Sequence, residues 1–154
     1  MNGVVKGIFI AREQGSPAEP QQTVEAVADC GLRGDRYFDD TGTFSGREIA
    51  TDITLIEKEA ITAVEREYTI SLDPGVHRRN IVVEGVALNH FVDQPLTVGG
   101  ATMVGHELCE PCSYLEQMLE QEGVCDALIH RGGLRGRIVD SGSIAVGDSV
   151  TPNE

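Results

Sequence analysis

The sequence predicts a mainly β, barrel-like single domain with peripheral helices, and three observations carry that expectation. About seven or eight short runs rich in Val, Ile, Thr and Phe recur at uneven spacing. Only two stretches show helical apolar spacing, so strands and helices do not alternate as they would in a doubly wound sheet. A chain of 154 residues, 40% apolar and 24% charged, is long enough for one proper core and too short for two comfortable ones. A mixed or antiparallel barrel fits all three.

The elements follow in order. Residues 4–11 are rich in β-formers and read as a first strand, and 12–22, with Gly15, Pro17 and Pro20, as a loop. Residues 23–28 alternate as a short strand. Residues 31–46 hold many glycines and aspartates with few aliphatic residues, the composition of a long functional loop. A strand over 52–56 leads into the clearest helix, 57–68, where Ala60, Ile61, Val64 and Tyr68 share one face. Residues 79–84 form a strand that stops at Gly85, and 88–93 a short helical turn. Residues 95–98, the Gly99-Gly100 turn and 101–108 read as a hairpin. A second helix begins after Cys112 and ends near Gly123. Residues 126–131 are ambiguous, and 136–140 and 143–150 read as two closing strands about Ser141-Gly142. No repeat, low-complexity run or linker interrupts the pattern, so residues 1–154 read as one domain with its core from about 4 to 150.

Composition narrows the function. Twenty-five acidic residues against twelve basic ones give a net charge of −13, which argues against nucleic acid and anionic membranes as partners. No apolar run approaches the roughly 20 residues of a membrane helix, and residues 1–10 lack the marks of a signal peptide. The expected location is cytoplasmic. Ten of the basic residues are arginines, and Arg33, Arg36, Arg78, Arg79, Arg131, Arg135 and Arg137 sit in turn-like or glycine-rich segments. Guanidinium groups suit bidentate recognition of phosphate or carboxylate. The arginines either build one local anion site or pair singly with surface carboxylates.

Four cysteines are present: Cys30, Cys109, Cys112 and Cys125. Without a secretory signal a disulfide framework is not expected. Cys112 follows Pro111 where a helix begins, and a helix N-terminus favours a thiolate. It is either a reactive or ligating thiolate or a small buried hydrophobe. Cys109-x-x-Cys112 lacks the second tight pair of a structural zinc site, with only Cys125, His106 and His130 as further candidates. It also lacks the strand–helix alternation around a thioredoxin-like motif.

Four segments place polar residues where strands end or glycines permit close approach. They are Gly34-Asp35-Arg36-Tyr37, Arg78-Arg79-Asn80, Pro111-Cys112, and Arg131-Gly-Gly-Leu-Arg135-Gly136. With Leu55-Ile-Glu-Lys-Glu-Ala-Ile61 and the closing Gly142-Ser-Ile-Ala-Val-Gly147-Asp148, this ordered set resembles the MOSC domain. That family is named for the C-terminal domain of molybdenum-cofactor sulfurase. The resemblance runs from about residue 4 to 150 and implies a barrel-like fold that binds the molybdenum cofactor, a metal-bearing pyranopterin with a terminal phosphate.

By the same resemblance Cys112 is the signature cysteine, either a thiolate ligand to molybdenum or a carrier of persulfide sulfur. A soft thiolate suits the first role and a low-pKa thiolate the second. Cys109 would be a resolving partner or a packing residue. Asp35 and Arg36 match the motif near the cofactor pocket, and Arg79 and Asn80 the arginine–asparagine pair. Asn80 would meet a pterin edge or an oxygen on the metal, and Arg131 and Arg135, in a glycine-flexible turn, the cofactor phosphate. Cys112, Asp35 and Asn80 are thus the expected catalytic residues, and Arg36, Arg79, Asn80, Arg131, Arg135 and Cys112 the expected cofactor-binding set. Read from the residues alone, a simple pairing of Asp35 with Arg36 or Arg33 is the lesser alternative, and Asp148 is a turn residue.

The chain lacks a pyridoxal-phosphate desulfurase domain and the extra N-terminal region of amidoxime-reducing relatives, so it is expected to be a stand-alone MOSC domain. It also has no cysteine cluster or dinucleotide fingerprint for its own electron relay. Three functions remain in view. One is a molybdenum oxidoreductase acting on N-hydroxylated or related N–O compounds with a flavin or iron–sulfur partner. Another is a sulfur or cofactor carrier serving an acceptor protein. The last is a cofactor-free fold relative, against which the intact motifs weigh.

Overall fold

In the computed structural model, residues 3–11, 18–28, 30–35, 53–68, 79–108 and 133–152 are described. Their strands are β1 (Gly3–Ile10), β2 (Glu19–Gln21), β3 (Thr23–Val27), β4 (Gly31–Leu32), β5 (Ile53–Glu57), β6 (Ile81–Glu84), β7 (Pro95–Val98), β8 (Ala101–Leu108), β9 (Leu134–Asp140), β10 (Gly142–Ala145) and β11 (Ser149–Pro152). Helix α1 spans Lys58–Tyr68, and a 3-10 turn spans Leu88–Phe91.

Seven strands close a barrel in the order β11-β7-β8-β9-β5-β6-β1, and β1 pairs back onto β11 through Gly3↔Val150 and Val4↔Ser149. Pairings are antiparallel except β5–β6, where Leu55 lies beside Ile81. A parallel pair needs a crossover, and α1 supplies it, packing against both strands. A three-stranded sheet, β10-β3-β4, adds Val24, Ala26, Leu32 and Ile144 to the core of the barrel.

Alternation sorts the two faces of the wall. Ile53 and Leu55 of β5, Ile81 and Val83 of β6, and Leu134 and Ile138 of β9 point inward and are 0–1% exposed. The residues between them, Thr54, Ile56, Val82 and Arg135, point outward and are nevertheless buried. Ala60 and Ile61 of α1 are buried too, as their shared face predicts. At about 25 cal/mol per Å² of apolar surface, the inner layer is the main source of stability.

The expected mixed barrel, the β7–β8 hairpin, the helix and the short turn at 88–91 are all present. Strand β4 opens the stretch expected to be a loop over 31–46, and two further expectations need correction. Part of the 12–22 loop is strand β2, which pairs with β1 through Ile8↔Gln21, Phe9↔Pro20 and Ile10↔Glu19. Pro20 tolerates this because β2 is an edge strand. The second correction is at the C-terminus, where 143–150 is not one strand. A turn at Val146–Gly147 divides it; β10 pairs with β3 and β11 with β7, so β9 and β10 form no hairpin. Asp148 is the turn residue expected, its Oδ2 accepting the Ala145 N–H at 2.8 Å. The helix expected after Cys112 lies outside the described residues.

Candidate functional site

Asp35 is positioned by the turn that follows β4. Gly34 has φ +91°, a conformation open to glycine, and a Cβ there would press to 3.3 Å from Ile10 Cδ1. The turn carries Asp35 over the end of β1. There its fully buried carboxylate accepts the Ala11 N–H at 3.0 Å, and its own N–H donates to Leu32 O at 3.0 Å.

Asn80 immediately precedes β6 and is 1% exposed. Its Oδ1 accepts two hydrogen bonds from Thr54, from the amide at 3.1 Å and from the hydroxyl at 3.0 Å. Its amide N–H donates to Thr54 Oγ1 at 3.0 Å, and its Nδ2 donates to Phe9 O at 3.1 Å. One side chain therefore ties β5, β6 and β1 together where the parallel pair begins. Both acceptor sites of Oδ1 are taken by Thr54.

Arg135 is not in a flexible turn, as the sequence suggested. It is the second residue of β9, opposite Thr54 on one side and Glu107 on the other. Its Nη1 donates to Glu107 Oε1 at 2.9 Å. The glycines around it have a structural reason. Gly133 has φ +111°, and a Cβ there would overlap the carbonyl oxygen of Leu55.

The result is one polar row across the outer face of the barrel: Glu107, Arg135, Thr54 and Asn80, with Phe9 of β1 bonded to Asn80, and Asp35 bonded to Ala11 two residues further along the chain. Arg79, half-buried, immediately precedes Asn80. Segments expected from sequence to cooperate, those of Asp35, Arg79-Asn80 and Arg135, do converge. Thr54 and Glu107 complete the row and were not singled out. Thr54 carried no signal beyond being a polar residue inside an apolar strand. Glu107 lay in the stretch leading to Cys112, but its phase was hidden by a bulge in β8. Arg36, Arg131 and Cys112, with Cys109, lie outside the described residues. Arg33, another of the turn arginines, pairs with Glu25 at 2.9 Å on the surface.

Among the described residues, two cavities are lined by chain neighbours of these residues and by none of the row itself. One of about 260 Å³ is lined by Ile10, Gln21, Thr23, Val24, Glu25, Arg33 and Ser143, next to the Gly34 turn. The other, about 200 Å³, is lined by Asp93, Val104, Gly105, His106 and Arg137, beside Glu107. Both fall below the roughly 300–1,000 Å³ typical of small-molecule sites. Among the described residues no group of three or more His, Cys, Asp or Glu is placed to hold a metal ion. No helix among the described residues is long and apolar enough to cross a membrane.

Comparison with known proteins identifies the class. The MOSC domain pattern matches residues 42–151, most of the chain, and the chain belongs to that family. No curated protein sequence matches it. Among solved structures it is similar to the YuaD protein of Bacillus subtilis, with a TM-score of 0.80 at 16% identity over 97% of this chain and 94% of that one. It is also similar to YiiM of Geobacillus stearothermophilus (TM-score 0.72, 16% identity, 99% of this chain and 75% of that one). For YiiM of Escherichia coli the values are 0.70 and 13%, over 100% of this chain and 70% of that one. These likenesses establish a shared fold.

Proposed function

We propose that the chain binds the molybdenum cofactor against the polar row and reduces N-hydroxylated or related N–O compounds. Membership of the MOSC family supports cofactor binding. The observation that carries the reading to these residues is the convergence of Asp35, Arg79-Asn80 and Arg135 on one side of the barrel. In this reading Cys112 is the thiolate to the metal, since a soft anionic ligand suits it and the described residues offer no alternative set. Arg36, Arg79 and Arg131 bind the phosphate and other anionic edges. Asp35 and Asn80 hold the ends of β1, β5 and β6 in place, so that the arginines beside them keep a fixed geometry.

When bound, the cofactor would supply two-electron chemistry that removes oxygen from the N–O group. The overall conversion takes an N–OH group, two electrons and two protons to N–H and water. The electrons come from a flavin or iron–sulfur protein, because the sequence holds no relay of its own. The second reading is a carrier that holds sulfur as a persulfide on Cys112 for an acceptor protein. It shares the cysteine and dispenses with turnover.

Molybdenum and pterin content of the protein from a host that makes the cofactor, measured beside Cys112→Ala, separates the two. Near-stoichiometric metal and pterin that vanish in the variant is the expected result, and reductase-coupled assays of N-hydroxylated compounds then follow. Absence of both from the parent protein, with the Cys112 thiol still reactive, overturns the enzyme reading and leaves persulfide transfer.

A further inference from the structure

Asp93 holds a backbone conformation that the rest of the described chain reserves for glycine. Its φ is +61°, and the other described residues with positive φ are all glycines. A tight turn sets that angle. The Gln94 N–H donates to Phe91 O at 3.1 Å, and Val92 between them has φ −63° and ψ 125°. This is a type II turn, whose third residue favours glycine or asparagine, so an aspartate there costs some stability. Main-chain bonds fix the turn against β8: the Asp93 N–H donates to Gly105 O at 2.8 Å, and the Gly105 N–H to Gln94 O at 3.2 Å. None of them uses the carboxylate, which among the described residues makes no hydrogen bond or ion pair. A charged side chain is thus kept where the backbone favours none, for a reason outside the turn.

That side chain lines the cavity of about 200 Å³ with Val104, Gly105, His106 and Arg137. A second irregularity brings His106 there. The register of β8 against β9 shifts between Gly105 and Glu107, a β-bulge that leaves His106 without a partner on β9. Arg137 lies opposite Val104. Gly105 lets the turn lie directly on the strand, since a Cβ there would overlap the Phe91 carbonyl oxygen. Asp93, His106 and Arg137 are all exposed, so none of them requires a buried partner in the free protein.

The charges select the ligand. Asp93 and Arg137 balance at neutral pH, so the lining as a whole matches neither a bare anion nor a bare cation. A metal ion would find Asp93 and His106 as donors beside a like-charged arginine, and no described group of three is placed to hold one. A small molecule with an ammonium and a carboxylate satisfies both charges, the first on Asp93 and the second on Arg137. With five N–H donors, Arg137 can offer two to a carboxylate and still keep another partner. The imidazole can donate or accept at a further polar group of the ligand. A cavity of this size suits a ligand of few heavy atoms.

We propose that the Asp93–His106–Arg137 cavity is a binding site for a small zwitterion of the α-amino-acid class. It is independent of the cofactor reading and uses none of the residues assigned there.

The test is an NMR titration of the full chain near neutral pH with glycine and L-serine, and with acetate and methylammonium as half-ligands. The ring signals of His106, assigned with His106→Gln, are the readout, and those of His90, which faces Glu57, are the reference. Both amino acids should shift the His106 ring saturably, with Kd about millimolar or tighter, while each half-ligand binds about tenfold more weakly and His90 does not respond. Asp93→Asn suits the same turn without the charge, so it should keep the melting temperature and weaken amino-acid binding about tenfold or more. Asp93→Gly should lose binding equally and hold or raise the melting temperature. Arg137→Gln should weaken the amino acids as much and leave methylammonium binding no weaker. No saturable shift, binding that survives Asp93→Asn, or acetate binding as tightly as glycine overturns the site. A marked fall in melting temperature on Asp93→Gly also overturns it, because the carboxylate then serves the fold.

Discussion

On their inner face, strands β5, β6 and β9 carry Ile53, Leu55, Ile81 and Leu134; on the outer face, the same strands and β8 carry Thr54, Asn80, Arg135 and Glu107. Thr54, Asn80 and Arg135 are buried like the inner residues, yet they are held differently. Inward contacts are apolar and non-directional, so they reward volume and tolerate any residue of the right size. Outward contacts are hydrogen bonds at about 3 Å, and among the described residues no buried side-chain polar atom lacks a partner. A satisfied polar row is rigid and unforgiving, because removing one member orphans another. That rigidity is what the apolar contacts of the inner face cannot supply.

The contrast can be broken from either side. Leu55→Ala should give the largest effect, a loss of about 2–5 kcal/mol in unfolding free energy measured with urea, because it opens a cavity in a layer with almost no exposure. Its effect on cofactor content should only follow the stability loss. Thr54→Val keeps the shape and removes the hydroxyl that both accepts from and donates to Asn80. It should cost about 1–2 kcal/mol, yet lower molybdenum–pterin content beyond what that loss explains. If Leu55→Ala and Thr54→Val lower content in equal proportion to stability, the outer row has no special part in the site.

The smallest expected effect concerns Glu57, at the far end of β5. Its burial raises its carboxyl above the ordinary range, aided by Glu59 and opposed by the Leu88 N–H and His90. A raised native pKa means that the folded state holds this proton more tightly than the unfolded chain does. Its favourable contribution is complete below the unfolded carboxylate value and is lost as pH rises through the native one. Glu57→Gln should therefore flatten the fall in stability over that window, read as melting temperature against pH. A parallel shift of the whole curve would contradict the assignment.

Much of the fold is legible in the sequence because its signals are local. The Gly99-Gly100 turn between alternating runs reads directly as the β7–β8 hairpin, and Ala60 and Ile61 mark the buried face of α1. The missed edge strand β2 has a local cause too, since Pro20 argues against a strand unless its edge position is known. Of the site, Asp35, Asn80 and Arg135 are visible as polar residues beside glycines or strand ends. Their roles are not, and the glycines around Arg135 read as a turn where the chain has a strand.

By itself, the sequence determined the class of fold and the family, because strand period, turn residues and ordered motifs are all written within a few residues of one another. Tertiary structure alone decided that Thr54 stands between Asn80 and Arg135, that β10 joins β3, and that a bulge aims Glu107 outward. Asn80 reaches Thr54 across 26 residues of chain and Arg135 reaches Glu107 across 28. Register between such distant strands is set by closing the barrel as a whole, where a slip of one residue exchanges the apolar face for the polar one.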